Sequence, residues 1–398
     1  MIGRKDYLLE VASRMWPPSA GMARTRSRTP GERAFVLIPS ADRPHLMVPA
    51  GAPRAAAAAV DGFTGHRTGS AGLRSWLLRR ALAIGAGEWL LPGRLVVGPE
   101  PGIEAHLAIV LGETPLIAMH IGPPRANRKP VLQLLDHGGR LLGFAKIGTG
   151  PLTRELVDRE AAALHRLAEN RPAGIDVPRV LHHGRWRDLD VLVQSPLPVR
   201  GSRAPSPRSL VAAMVEVADG TVQQSVPLDG CGYLGALIAE LHALGEAGTA
   251  LARDLETVRS AGPERQVTLG AWHGDWTPWN CAAGVDGRLL VWDWERYQEG
   301  VPRGLDALHH HLQGGLGAGT VSVARATGLI EDAPRLLAPF GLGPDDARLT
   351  GVLYLAEIAR RYLTDGQAAA GARRGEVGAW LVPAVHQQIP HLTRQRSR

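Results

Sequence analysis

The chain has 398 residues, 44% hydrophobic and 21% charged, with two cysteines. Such a composition fills more than one core and excludes a wholly disordered chain, a collagen-like repeat and a small disulfide scaffold. The net charge of +7 divides unevenly: residues 1–205 hold 28 basic and 17 acidic side chains (+11), residues 206–398 hold 17 and 21 (−4), and no dense basic run with interleaved aromatics argues for a nucleic-acid partner.

Cys231 and Cys281 do not make a metal spacing, and two cysteines in this length fit a reducing compartment. The first twenty residues contain Arg4, Lys5, Asp6 and Glu10 without an apolar core of signal-peptide length. The most apolar stretch, residues 81–97, is broken by Glu88, Pro92 and Arg94, which leaves nothing of membrane-spanning length. The expectation is a soluble cytoplasmic protein with no membrane partner. Of 45 basic residues only Lys5, Lys129 and Lys146 are lysine. Arginine carries the bulk charge, so each lysine is a position to inspect.

In chain order, residues 1–33 read as a poorly ordered tail, with Arg24, Arg26 and Arg28 in a Pro/Ser/Thr-containing stretch. Residues 35–40 and 45–48 suggest a hairpin, and 73–84 has apolar residues at helical spacing. Residues 34–104 read as an N-terminal extension without a chemical motif and as a candidate homodimer surface. Residues 107–111, 115–120, 131–135 and 141–147 are expected strands, the last two joined by a turn with Gly138 and Gly139. A helix is expected over 153–168, then strands over 180–183 and 191–194. Residues 200–208, rich in Pro, Ser and Arg, read as a linker.

Beyond 208 the pattern is mostly helical: 210–217, 233–244, 321–329, 348–363 and 377–388. A short strand pair, 282–284 and 289–292, turns at Asp286-Gly287. The fold class expected is α+β: an antiparallel sheet with one embedded helix over 105–198, then a mainly helical domain over 199–398.

The chemistry concentrates in His273-Gly-Asp275-Trp276-Thr-Pro-Trp279-Asn280, followed by Asp293 after an apolar run. Phosphoryl transfer needs a group that orients an attacking hydroxyl and accepts its proton, and hard oxygen ligands for Mg²⁺. Asp275 suits the first task; Asn280 and Asp293 suit the second. Upstream, Lys146 on an expected central strand and Glu160 in the next helix suit the positioning of ATP phosphates. A compact ammonium in a chain that otherwise uses guanidinium strengthens that reading.

Residues 273–280, with Val291-Trp-Asp293-Trp-Glu295, resemble the aminoglycoside phosphotransferase/choline kinase-like family over about residues 105–390. The resemblance implies a bilobal, protein-kinase-like fold using ATP and Mg²⁺ on a small-molecule hydroxyl acceptor. Asp275 would be the catalytic base, Asn280 and Asp293 the metal ligands, and Lys146 with Glu160 the phosphate-positioning pair. Gln194, Ser195 and Leu197 would form a hinge holding adenine through backbone groups. His273, Glu295 and Asp306 would support the loop, with Asp306 bracing it.

The loop that should cover the phosphates, 122–130, departs from a glycine-rich pattern, having one glycine. Arg125, Arg128 and Lys129 are candidate phosphate-directed charges there. Five of ten tryptophans fall within 272–294. Packing explains Trp272, Trp292 and Trp294, while Trp276 and Trp279 are candidates to stack on the acceptor. His309-His310-His311 cannot all face one ion from a helix, and His182-His183 point to opposite faces of a strand. A protein kinase is disfavoured because twelve residues between Asp293 and Asp306 leave little room for an activation segment. The alternative of another class is a non-catalytic kinase-like module that binds a nucleotide or partner.

Overall fold

The computed structural model describes residues 3–17, 20–23, 31–64, 70–123, 125–199, 201–316, 321–369 and 376–394. The chain divides into two compact units: 1–161 with 178–196, and 162–177 with 197–398.

The first unit opens with helix α1 (Arg4–Met15), strands β1 (Ala20–Ala23), β2 (Arg33–Ile38) and β3 (Leu46–Pro49), and helices α2 (Pro53–Thr64), α3 (Ser70–Ala83) and α4 (Gly87–Leu90). It continues with β4 (Arg94–Val97), α5 (Ile103–Leu111), β5 (Leu116–His120), β6 (Val131–Leu135), β7 (Leu141–Gly148) and α6 (Pro151–Asn170), whose residues from 162 on are counted with the second unit. After β8 (Ile175–Asp176), which belongs to the second unit, come β9 (Val180–Trp186) and β10 (Leu189–Gln194).

Nine strands form one antiparallel sheet in the order β1-β4-β2-β3-β5-β6-β7-β10-β9. Residues 34–104 are therefore not a separate extension. Their strands continue the sheet, and β3 pairs directly with β5 through Met47 and Met119. The expected tail is also corrected in part. Residues 4–15 are a helix that buries Leu8, Val11, Ala12 and Met15 in the same core as Leu132, Ala145, Ile147 and Val193. An amphipathic helix with a sheet to bury its apolar stripe escapes the composition signal of a tail. Arg24, Arg26 and Arg28 lie outside the described residues. Residues 107–111, expected as a strand, form the C-terminal part of α5, capped by Gly112 at φ +75°.

The second unit holds helices α7 (Pro207–Asp219), α8 (Gly232–His242) and α9 (Gly245–Ala261), with β11 (Gln224–Pro227) between α7 and α8. Then come β12 (Gln266–Trp272), β13 (Cys281–Ala283), β14 (Leu289–Val291), β15 (Gln298–Pro302) and α10 (Leu305–Leu316). Helices α11 (Val323–Leu337), α12 (Pro344–Thr364), α13 (Val377–His386) and α14 (Ile389–Thr393) follow, with a 3₁₀ turn at Ala338–Phe340. Two small sheets, β11-β12-β15 and β13-β14-β8, sit among the helices. Helix α12 is buried along most of its length, including Leu349, Val352, Tyr354, Ile358 and the charged Glu357 and Arg361. No helix among the described residues is long and apolar enough to cross a membrane.

Candidate active site

In the first unit, Lys146 pairs in register with Val131 of β6 and Leu192 of β10, so it lies well inside the sheet. Its neighbours Ala145 and Ile147 face the core shared with α1. Strand alternation sends Lys146 to the opposite face. There Leu192 packs on Val157 and Ala161 of α6. Glu160 of the same helix meets the ammonium: Nζ donates to Oε1 at 2.6 Å and Oε2 at 2.7 Å. The side chains are 9% and 0% exposed. A pair this buried is held by its own geometry, since neither charge has water to fall back on.

Gln194 ends β10 and is buried. Ser195 is tied to Arg179, its N–H donating to the carbonyl at 2.8 Å and its hydroxyl accepting the Arg179 N–H at 2.9 Å. Its backbone donor is thus taken. Leu197 falls in the second unit, so the three expected hinge positions are split between the units. The loop expected to cover phosphates is also altered. Arg128 has its guanidinium 3.5 Å from the centre of the Tyr7 ring, a cation–π contact with α1. Arg4 of α1 donates to the Gly122 carbonyl at 3.4 Å. Arg128 therefore rests on the N-terminal helix, which the sequence treats as tail. Arg125 is exposed and Lys129 half-buried in this loop.

In the second unit, β12 delivers the loop of residues 273–280. Gly274 sits at φ +82°, and a Cβ there would come 2.2 Å from the Arg296 carbonyl oxygen, so only glycine fits. Asp306, in the first turn of α10, accepts the His273 N–H at 2.7 Å and the Gly274 N–H at 3.1 Å. Burial pushes its carboxyl up to about 7, against the lowering effect of those two bonds. Arg361 of α12 donates to the Gly274 carbonyl and lies 4.8 Å from the Trp272 ring centre.

His273 is fully buried, and burial lowers its pKa to about 4. The ring is therefore neutral. Its Nδ1 accepts the Asp275 N–H and its Nε2 donates to the Trp292 carbonyl, each at 3.1 Å. Trp276 and Trp294 flank it, with ring centres 5.7 and 4.4 Å away. Trp276 is wholly buried, which corrects its candidacy for acceptor stacking: it supports the loop. Trp279 is 56% exposed and remains open to solvent.

Asn280 donates Nδ2 to the Asp275 carbonyl at 2.9 Å and to Asp275 Oδ2 at 3.0 Å. Its amide oxygen is left as the acceptor end. The β13–β14 hairpin then returns the chain: Trp292 donates its N–H to the Asn280 carbonyl at 3.1 Å. Asp293 follows at φ +74°, a left-handed conformation that costs a non-glycine residue about 1–2 kcal/mol. Glu295 is buried two residues on. An amide oxygen and a carboxylate are hard donors of the kind Mg²⁺ takes.

Three residues that sequence reasoning missed complete this loop. His309 Nε2 lies 3.0 Å from Asp275 Oδ1, and its Nδ1 lies 3.0 Å from the Tyr354 hydroxyl. Arg361 is the third. The triple histidine indeed diverges: His310 donates to the Trp276 carbonyl and His311 meets Asp332. Asp306 and His309 are three apart on α10, hence on one face. That spacing is the signal that could have found His309.

No protein-family model matches the chain, and no curated protein matches it. Among solved structures it is similar to an aminoglycoside phosphotransferase in complex with ADP and hygromycin B, at 13% identity over 74% of this chain and 99% of that one, TM-score 0.45. It is also similar to spectinomycin phosphotransferase in complex with ADP and spectinomycin, at 12% identity over 71% and 96%, TM-score 0.42. A macrolide 2'-phosphotransferase from Brachybacterium faecium matches at 15% identity over 70% and 92%, TM-score 0.38.

Proposed function

We propose that the chain is an ATP-dependent O-phosphotransferase that moves the γ-phosphoryl group to a hydroxyl of a small molecule. The observation that carries this reading is the Asp275 carboxylate, held by Asn280 and His309 and followed by Asp293 in a left-handed turn. Asp275 accepts the acceptor's hydroxyl proton as that oxygen bonds to phosphorus and the bond to the ADP oxygen breaks. Lys146, pinned by Glu160, supplies a fixed positive charge for the nucleotide phosphates. Asn280 and Asp293 would hold Mg²⁺, which neutralises phosphate charge when bound. Asp306 and Arg361 fix the backbone beneath Asp275.

Acceptors consistent with the reading are sugars, aminosugars and amino alcohols. The exposed Trp279 ring is a surface on which a sugar ring can stack. The test is a mass-spectrometric screen of the purified protein with Mg-ATP against a library of these compounds. Gain of one phosphoryl group by any member supports the assignment. No product, together with no binding of Mg-ATP, refutes it.

A further inference from the structure

His309 is 2% exposed, and both of its ring nitrogens are engaged by side chains. A carboxylate only accepts, so the nitrogen facing Asp275 carries a proton. The other nitrogen, facing a tyrosine hydroxyl, is then the acceptor of that O–H in the neutral ring. Tyr354 is itself fully buried, and burial holds its hydroxyl in the protonated form. The buried Arg361 guanidinium, over the same Trp272 ring whose plane is perpendicular to His309, already brings positive charge to this region.

The arrangement is a directed chain: Tyr354 O–H to His309 Nδ1, then His309 Nε2–H to Asp275 Oδ1. Asn280 holds the other carboxylate oxygen. With one donor on each oxygen, the plane of the Asp275 carboxylate is fixed. A carboxylate has about four acceptor sites, so about two remain for an incoming hydroxyl. One turn of α10 therefore grips the loop at two levels: Asp306 on backbone, His309 on the side chain.

We infer that His309, in the Nε2–H tautomer set by Tyr354, is a positioning residue that orients the Asp275 carboxylate toward the acceptor hydroxyl. This rests on the phosphotransferase reading. The acceptor proton goes to Asp275; His309 keeps its own.

The test uses the full-length protein, with water or any acceptor from the screen as phosphoryl acceptor. His309→Phe is expected to lower kcat about 10²-fold while leaving KM for Mg-ATP within about threefold, because a misaimed group loses rate and not nucleotide binding. His309→Gln, which retains a side-chain N–H, is expected to recover kcat to within about tenfold of the parent. In ¹⁵N-histidine NMR spectra, His309 is expected with Nε2 protonated and Nδ1 bare, and Tyr354→Phe is expected to mix the tautomers and lower kcat. If His309→Phe does not fold, Tyr354→Phe carries the test. A His309→Phe kcat within about threefold of the parent overturns the inference, since misplacement should cost far more. So does a His309 ring protonated at Nδ1, or a Tyr354→Phe protein unchanged in both tautomer and kcat. A parent protein that neither turns over nor binds Mg-ATP refutes the phosphotransferase reading and the inference with it. Turnover in the parent with an indifferent His309→Phe refutes the inference alone.

Discussion

Asn280 holds Asp275 at two points, its one amide nitrogen lying 2.9 Å from the aspartate's carbonyl and 3.0 Å from its carboxylate. The side chain of the base is therefore fixed to its own backbone through a neighbour five residues on. Asp275→Asn keeps the size of the side chain, gives up one of the two accepted hydrogen bonds and removes the ability to take a proton. Phosphoryl transfer is expected to fall about 10²–10⁴-fold, the usual worth of a positioned base. Mg-ATP affinity, followed by calorimetry, should stay nearly the same.

Lys146 and Glu160 make a second prediction. Lys146→Met leaves a fully buried glutamate without its cation, a change expected to cost about 3–5 kcal/mol. Replacing both, with Met and Leu, should restore much of that stability while still abolishing nucleotide binding. Denaturation of the full chain gives the first quantity, and calorimetry with Mg-ATP gives the second. A double variant as unstable as the single would mean that the pair is not what the site depends on.

The pH dependence of stability provides a third. An unfolded aspartate ionises near 3.8, and Asp306 in the fold at about 7. Between those values the folded chain holds a proton that the unfolded chain has released. The contribution of Asp306 is thus complete below pH 3.8 and is lost as pH rises through about 7. His273 runs the other way, from 6.5 unfolded to about 4 folded. Its contribution is complete above pH 6.5 and is lost as pH falls through about 4. Urea denaturation across this window is expected to show stability falling with pH in His273→Gln and rising with pH in Asp306→Asn. The same slope in both variants would contradict the assignment of one of the two shifts.

A fourth prediction separates the two neighbouring tryptophans. Trp276→Ala removes a buried indole from against His273 and Trp294 and is expected to cost about 3–5 kcal/mol. Trp279→Ala, at an exposed position, should change stability by no more than about 0.5 kcal/mol. If Trp279 stacks on the acceptor, acceptor KM rises with kcat little changed. Steady-state kinetics on the acceptor found in the screen, with thermal melts beside it, decides both.

Much of the site was legible because its parts are close in sequence or periodic. Residues 131–135 and 141–147 alternate or run apolar around a glycine turn, and the structure places strands there. The single lysine among them lies against the glutamate fourteen residues later. Residues 107–111 misled because a short continuous apolar run has no period that separates strand from helix. Helix α1 misled for a different reason: the core that buries it is assembled from strands spread from Phe35 to Val193. His309 lay 34 residues from Asp275, within a histidine run that invited and defeated a metal reading. Only the fold brings Tyr354, a further 45 residues on, to its other nitrogen.

The order of strands in the nine-stranded sheet bears on how the chain is made. Apart from β4, which inserts between β1 and β2, and the exchanged β9 and β10, the strands run across the sheet in the order in which they are synthesised. From β3 through β7, β4 aside, each new strand pairs with the edge left by the strand before it in the sheet. β7, which carries Lys146, follows six strands of the sheet in the chain. Glu160 arrives with the helix that follows. The charge is thus covered by its counter-ion within one short length of new chain, and the nascent protein need not bury a lone lysine.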